Sequence, residues 1–214
     1  MSTSTAAPFL GLTKRELQAI SARAVTRAFA KNTVVITEGD RSNSVYIILS
    51  GKVKFYASDV QGKEILLSEA GAGEYFGEMA LDDGPRSASV MTLVPTRLSI
   101  VPRQDFRDFL AQSPEFAFNL INKLIHRVRV LTDNVKSLAL MDVYGRVARM
   151  LLELATNRGG ALAIEPKPTQ QDMANRVGAS REMISKILKD LETGGYIKVE
   201  SKRIVLAKTL PRGW

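Results

Sequence analysis

The sequence predicts an α+β chain: an antiparallel sandwich or barrel of short strands, then a long helix, then a winged helix-turn-helix. Three observations carry that reading. Glycines fall at 39, 51, 62, 73 and 84, with spacings of 12, 11, 11 and 11 residues. A helical period takes over from about residue 104 and settles into a strict heptad seam. The most basic third of the chain closes on two short helices about a glycine, followed by a hairpin pattern.

Composition sets the outer bounds. The 214 residues are 45% apolar and 24% charged, ordinary globular usage. No apolar run approaches the ~20 residues needed to cross a bilayer. Met1–Leu12 has neither a basic n-region nor a long apolar stretch, so we expect no signal peptide, a cytoplasmic location and no membrane partner. The absence of cysteine excludes disulfides, thiolate zinc sites, a cysteine nucleophile and cysteine-ligated iron–sulfur clusters. The single histidine, His126, reads as a helix-surface residue and leaves little room for a metal site, so none is expected.

Charge points to a partner. Net charge is +8, with 17 Lys/Arg against 15 Asp/Glu in residues 1–142 and 13 against 7 in residues 143–214. A basic module behind a nearly neutral one fits a sensor joined to a nucleic-acid binder.

Thr13-Lys14-Arg15-Glu16 has capping-box form, with Leu12 and Leu17 placed for a hydrophobic staple, which predicts a helix over roughly 14–23. From about 28 to 104, short runs such as 45–49, 53–56, 65–67, 89–91 and 97–101 lie between the glycines. Regular turns with short strands indicate an antiparallel sandwich or barrel. Phe106, Phe109 and Leu110 mark a short amphipathic helix, and Ser113-Pro114 starts another with proline at N1. In that helix Ile121, Leu124, Val128, Leu131, Val135 and Leu138 follow at alternating steps of 3 and 4. β-Branched residues at one seam position and leucine at the other favour a parallel two-stranded coiled coil, hence a homodimer. The competing reading packs this stripe on the chain's own barrel.

Asp142 is placed to N-cap a helix with Val143, Val147, Met150, Leu151 and Leu154 on its apolar face, stopping near Asn157-Arg158-Gly159-Gly160. After a loop ending Pro166-Lys167-Pro168, Thr169-Gln170-Gln171-Asp172 opens the next helix, with Met173, Ala174 and Val177 inward. Gly178 allows a sharp turn and Ser180 caps a helix running to about Thr193, which together make a helix-turn-helix. At ~100° per residue, Arg181, Glu182, Ser185, Lys186 and Lys189 share one face, and Met183, Ile184, Ile187, Leu188 and Leu191 the other. Arg181 and Lys186 can donate to guanine, and Glu182 can accept from cytosine N4. Any solvated helix shows such a face; its place after a turn in the basic third favours double-stranded DNA. Residues 196–200 and 203–207 read as a hairpin wing, from which Lys198, Lys202 and Arg203 can reach phosphate.

The stretch from Phe76 to Ala88 carries the most chemistry. Gly77 followed by a short helical turn exposes backbone N–H groups, a ready anion site that Arg86 and the Ser87 hydroxyl can complete. Glu78 would repel a phosphate, and makes sense if it accepts from a sugar hydroxyl of the same ligand, which points to a nucleotide. The alternative is a Glu78–Arg86 ion pair closing an empty turn.

With these motifs in place, the chain resembles the cyclic-AMP receptor protein/Fnr superfamily of bacterial transcription regulators over nearly its whole length. The phosphate-binding cassette looks like Gly77-Glu78-x-Ala80-Leu81 with Pro85-Arg86-Ser87-Ala88. The seam and hinge look like Arg127 through Asn134-Val135-Lys136-Ser137-Leu138-Ala139 and Asp142-Val143-x-Gly145-Arg146. The recognition helix looks like Ser180-Arg181-Glu182 with Lys186-Ile187-Leu188-Lys189.

The resemblance implies three domains: a cyclic-nucleotide-binding, jelly-roll-like β-roll over 1–112, a dimerisation helix and hinge over 113–141, and a DNA-binding winged helix-turn-helix over 142–214. It implies a ligand site of Gly77, Glu78, Met79, Ala80, Arg86, Ser87, Arg127, Leu131 and Thr132. Within it Glu78 takes the ribose 2′-hydroxyl, while Gly77, Arg86 and Ser87 hold the cyclic phosphate. Leu131 and Thr132 face the base, and Thr132 reaches the partner subunit's ligand. The implied DNA-contacting set is Thr169, Gln170, Ser180, Arg181, Glu182, Ser185, Lys186, Lys189 and Lys202. The expected protein is a ligand-gated homodimeric regulator reading a palindromic site, with cAMP as allosteric ligand, RNA polymerase as a further partner and no catalytic cofactor.

The chain departs from the family pattern in three places. Leu131 stands where cyclic-AMP receptors place a threonine hydroxyl for the adenine amino group. The segment between Glu78 and Arg86 is slightly short, and Lys186 replaces an arginine. Cyclic di-GMP as effector, or a ligand-independent protein with a vestigial cassette, are the alternatives. The chain offers no nucleophile–base pair or P-loop, so an enzyme is not expected.

Overall fold

The structure, a computed structural model, describes Ile20, residues 24–158 and residues 160–210. The expected helix over 14–23 lies outside these residues except for Ile20, which is helical and buried. Packing divides the chain into two compact units. One comprises the described residues up to Ala57 with Leu66–Arg129, the other Ser58–Ile65 with the described residues from Val130.

The first unit is the expected antiparallel sandwich. Its strands are β1 (Val25–Phe29), β2 (Val34–Ile36), β3 (Ser44–Ser50), β4 (Lys52–Ser58), β5 (Glu64–Gly71), β6 (Tyr75–Phe76), β7 (Ser89–Thr92) and β8 (Thr96–Pro102). They form two sheets, ordered β1-β8-β3-β6 and β2-β7-β4-β5. Alternation along β3 explains how both of its faces are filled. Tyr46 and Ile48 point into a core with Val53, Phe55, Phe76, Val90 and Leu98. Val45 and Ile47 point the other way, to Tyr75, Val101, Phe106, Phe116 and Leu120. Each such side chain contributes about 1.5–3 kcal/mol when fully buried. The turn glycines at 39, 51, 62 and 73 adopt positive φ. At Gly51 (φ +100) a Cβ would stand 2.4 Å from Thr96 Oγ1, so the β3–β4 turn admits no side chain.

Two helices follow as expected: α1 (Arg103–Gln112) and α2 (Pro114–Leu140). Their aromatic residues lock the start of α2 to β6. Tyr75 and Phe116 ring centroids lie 5.5 Å apart, and Phe109 and Phe116 5.2 Å apart.

The second unit holds α3 (Val143–Leu154), β9 (Thr156–Arg158), β10 (Ala161–Ile164), α4 (Gln170–Val177), α5 (Arg181–Thr193), β11 (Ile197–Val199) and β12 (Ile204–Leu206). Asp142 caps α3 by accepting from Gly145 N at 2.7 Å. The helix ends at Leu154, before the expected stop. Asn157 and Arg158 belong instead to β9, which pairs with β10 in the register Ala161↔Arg158, Leu162↔Asn157 and Ala163↔Thr156. The reason is tertiary: β10 pairs with β12 in the register Leu162↔Leu206, Ala163↔Val205 and Ile164↔Ile204, and so buries Ala163 and Ile164. The wing is therefore part of a four-stranded sheet ordered β11-β12-β10-β9 rather than a lone hairpin.

Candidate ligand cradle and nucleic-acid interface

Pairing of β6 with β3 (Tyr46↔Phe76, Ile47↔Tyr75) delivers the chain to Gly77. This residue is left-handed, with φ 84 and ψ 13. A Cβ here would lie 3.0 Å from Arg86 Nη1 and 3.1 Å from Ser44 O, so the close approach as well as the dihedral calls for glycine. Residues Glu78–Asp82 then make a short 3-10 helix that ends on a second left-handed residue, Asp83 (φ 64). Glu78 and Ala80 turn inward and Met79 outward. Arg103 props this helix from below, pairing with Asp83 and donating to Ala80 O.

Arg86 is buried, and its guanidinium is fixed on three sides. Nε donates to Ser42 Oγ (2.8 Å), Nη1 to Gly77 O (2.8 Å) and Nη2 to Ser44 O (2.6 Å). Burial lowers its pKa from the ordinary value, against the opposing pull of Tyr46 and Glu78. Three of the five guanidinium N–H groups are used by these bonds, which leaves two for an anion. The Ser87 hydroxyl donates to Met79 Sδ at 3.0 Å.

Glu78 is 4% exposed, and it does not pair with Arg86. Its Oε1 accepts from Arg127 Nη1 on α2 at 2.9 Å, and its buried Oε2 has no hydrogen-bond partner. This replaces the alternative of a Glu78–Arg86 turn closure. The partner lies 49 residues away, beyond the reach of a spacing argument. Arg127 also lies over the Phe55 ring, 5.4 Å from its centroid. One helical turn earlier, Lys123 donates to Tyr75 O and sits 3.6 Å from the centre of the Tyr75 ring. Burial lowers the Lys123 pKa, while the carboxylates of Glu78 and Glu74 oppose that shift.

Sequence reasoning missed Ser42, Ser44, Arg103 and Lys123. Only Lys123 left a readable sign, since it precedes Arg127 by four residues on one helix face. Farther along α2, Leu131 is exposed, and all six seam residues are 37–64% exposed in the single chain. His126 is exposed on the helix surface, as expected.

In the second unit Thr169 and Asp172 form a complete capping box, and Gly178 takes the left-handed turn at φ 67. The Thr169 hydroxyl is committed to this cap; Gln170 follows, half-buried. Ser180 caps α5 by accepting from Met183 N at 3.2 Å. Arg181, Glu182, Ser185, Lys186 and Lys189 are all exposed, and Ile184, Ile187, Leu188 and Leu191 are buried. Glu182 is held below the usual carboxylate range, chiefly by its own backbone N–H and then by Ser180.

Met183 departs from the inward face assigned to it. It is 43% exposed and lines a cleft of about 690 Å³ with Val143, Tyr144, Lys186 and Ile187. On the wing Arg203 pairs with Glu200 at 2.7 Å and Lys198 with the same carboxylate at 3.4 Å, so both cations are partly neutralised. Lys202, at the turn between them, is exposed.

A β-sandwich with an inward-facing arginine and carboxylate at one turn, carried on the same chain as a winged helix-turn-helix, defines a small-molecule-sensing DNA-binding protein. Residues 26–113 match the model of the cyclic nucleotide-binding domain, and residues 145–209 that of the Crp-like helix-turn-helix domain. The chain is 35% identical over 204 residues to a CRP-like cAMP-activated global transcriptional regulator of Mycobacterium tuberculosis, covering 93% of this chain and 91% of that protein. It is 30% identical over 203 residues to the cAMP-activated global transcriptional regulator Vfr of Pseudomonas aeruginosa, covering 91% and 95%. Among solved structures, the c-di-GMP responsive global regulator CLP of Xanthomonas campestris superposes with a TM-score of 0.81 at 25% identity, covering 92% of this chain and 100% of that one. The chain belongs to the Crp/Fnr family of transcription regulators. It is a cyclic nucleotide-binding, DNA-binding regulator of a family that is not one of enzymes. Among the described residues no helix is long and apolar enough to cross a membrane.

Proposed function

We propose that this protein is a homodimeric regulator gated by a 3′,5′-cyclic nucleotide, with cAMP the first candidate, and that it reads a palindromic DNA site through α5. The observation that carries the ligand assignment is the buried, unpartnered Oε2 of Glu78 beside an arginine with two N–H groups to spare. A lone acceptor at that depth costs about 1–3 kcal/mol, which a ribose 2′-hydroxyl donating to it relieves. Arg86 and Ser87 take the cyclic phosphate where Gly77 lets the chain come close. Arg127 holds the carboxylate in place and links it to α2. Leu131 and Thr132 meet the base.

The exposed seam from Ile121 to Leu138 is the dimer interface in this reading. β-Branched residues alternating with leucine suit two parallel strands, and all six are left exposed in the single chain. Ligand shifts the hinge over 138–142 toward one arrangement by the difference between its affinities for the two states. In that arrangement the two α5 helices stand about one DNA turn (~34 Å) apart for successive major grooves. RNA polymerase is the further partner expected of such a regulator.

A second reading, cyclic di-GMP as effector, is favoured by Leu131, which supplies no hydroxyl for an adenine amino group. The deciding experiment is calorimetric titration of the full chain with cAMP, cGMP and cyclic di-GMP. Fluorescence anisotropy on a palindromic site and sedimentation velocity accompany it. Binding of one cyclic mononucleotide per chain, a dimer, and tighter sequence-specific DNA binding with ligand are expected. A monomer, or DNA affinity equal with and without every nucleotide, overturns the proposal.

A further inference from the structure

Met79 and Ser87 form a contact that the ligand assignment does not use. Met79 lies on the outer side of the short helix, 46% exposed. The Ser87 hydroxyl, one of the groups assigned to the phosphate, donates to its sulfur at 3.0 Å. A thioether is a weak acceptor, so a phosphate oxygen can take that hydroxyl away at small cost. Among the other described methionines, Met150 and Met173 are buried, Met91 and Met141 are half-buried, and Met183 is exposed in the second unit, which holds no hydroxyl assigned to the phosphate. Met79 therefore places an oxidisable atom, within reach of solvent, against a phosphate-binding hydroxyl.

We propose that Met79 is a peroxide-sensitive modification site whose oxidation disables the cassette, an inference that rests on the ligand reading above. The Sδ lone pair attacks one oxygen of hydrogen peroxide. The O–O bond breaks, an S–O bond forms, and the departing hydroxide takes up the remaining proton as water. Sulfur loses two electrons and the peroxide gains them. The product, methionine sulfoxide, puts a strong acceptor where a weak one stood. Its oxygen holds the Ser87 hydroxyl against the phosphate and sets a negative partial charge at the mouth of an anion site. Reduction by a methionine sulfoxide reductase returns the thioether, so the switch is reversible.

The test compares the full-length wild type with M79L, each before and after mild hydrogen peroxide. Peptide mass mapping locates the added oxygen, and calorimetry with cAMP, cGMP and cyclic di-GMP reads affinity. Wild type oxidised at Met79 is expected to bind its nucleotide about tenfold more weakly, the scale of one lost hydrogen bond to a charged group, and to recover after reductase treatment. M79L, measured against its own untreated sample, is expected to keep its affinity. Undiminished binding by Met79-oxidised wild type, or an equal loss in M79L, overturns the switch and leaves the ligand reading standing. An untreated wild type that binds none of the three nucleotides overturns the ligand reading, and the switch with it.

Discussion

The contact between Glu78 and Arg127 makes a sharp demand on stability that needs no ligand to test. Glu78 Oε1 and Arg127 Nη1 are 2.9 Å apart, with the carboxylate side chain 3% and the guanidinium side chain 32% exposed. Replacing Arg127 by methionine leaves a buried carboxylate without its partner, which costs about 3–5 kcal/mol in such pairs. Lys123 and Arg86 remain in its field, so the lower end, about 3 kcal/mol, is expected. Replacing Glu78 by glutamine leaves a guanidinium that still reaches water, and about 1 kcal/mol is expected. The double variant should then cost about 1–2 kcal/mol, far short of the sum, for a coupling of about 2–3 kcal/mol. The assay is urea denaturation followed by far-UV circular dichroism. A chain with two units can unfold in two steps, so the transition that these variants move is fitted separately. Additivity within about 0.5 kcal/mol would refute the pairing and the buried position of Glu78 with it.

Gly77→Ala forces a left-handed alanine, at about 1–2 kcal/mol, against Arg86 Nη1 and Ser44 O. Nucleotide affinity should drop by at least about tenfold, and unchanged calorimetry would contradict the cradle. Lys123 has a pKa lowered by burial, so the folded state resists its charge. The penalty is full below the lowered folded pKa and fades as pH rises through it toward the unfolded value of about 10.4. The stability of wild type relative to Lys123→Met should therefore rise from neutral to alkaline pH; a flat difference in urea midpoints argues against a buried ammonium. On DNA, Arg181→Ala should cost about 1–3 kcal/mol at the preferred site and relax base choice. Lys202→Ala should instead reduce the salt slope by about one unit on any sequence, both read by anisotropy across a salt series.

Much of the fold is legible in the residue order because the interactions that decide it are local. Asp142, Thr169 and Ser180 each bond a backbone N–H within three residues, so their helix starts can be read directly. Heptad spacing marks the seam, and the glycine spacing marks the turns between strands. Local signals ran out at β6 and at the β9–β10 hairpin. Strands of two to four residues are too short to carry a period, and the pairing of β10 with β12 across some forty residues outweighs the paired glycines that read as a helix stop.

The cassette divides along the same line. Its residue types and their order mark Gly77, Glu78, Arg86 and Ser87 as candidates, since a turn glycine, a cation and a hydroxyl in one short stretch suit an anion. Which of them touch was decided by the sandwich. Arg86 turns to Ser42 and Ser44, across 44 and 42 residues, because its backbone is bonded to Gly39 and Asp40, just ahead of β3. Glu78 meets Arg127 because the Tyr75–Phe116 contact seats α2 beside β6. The chain order chose the charges, and only packing, by removing water from around Glu78, settled which of three nearby cations pairs with it and which oxygen stays without a partner.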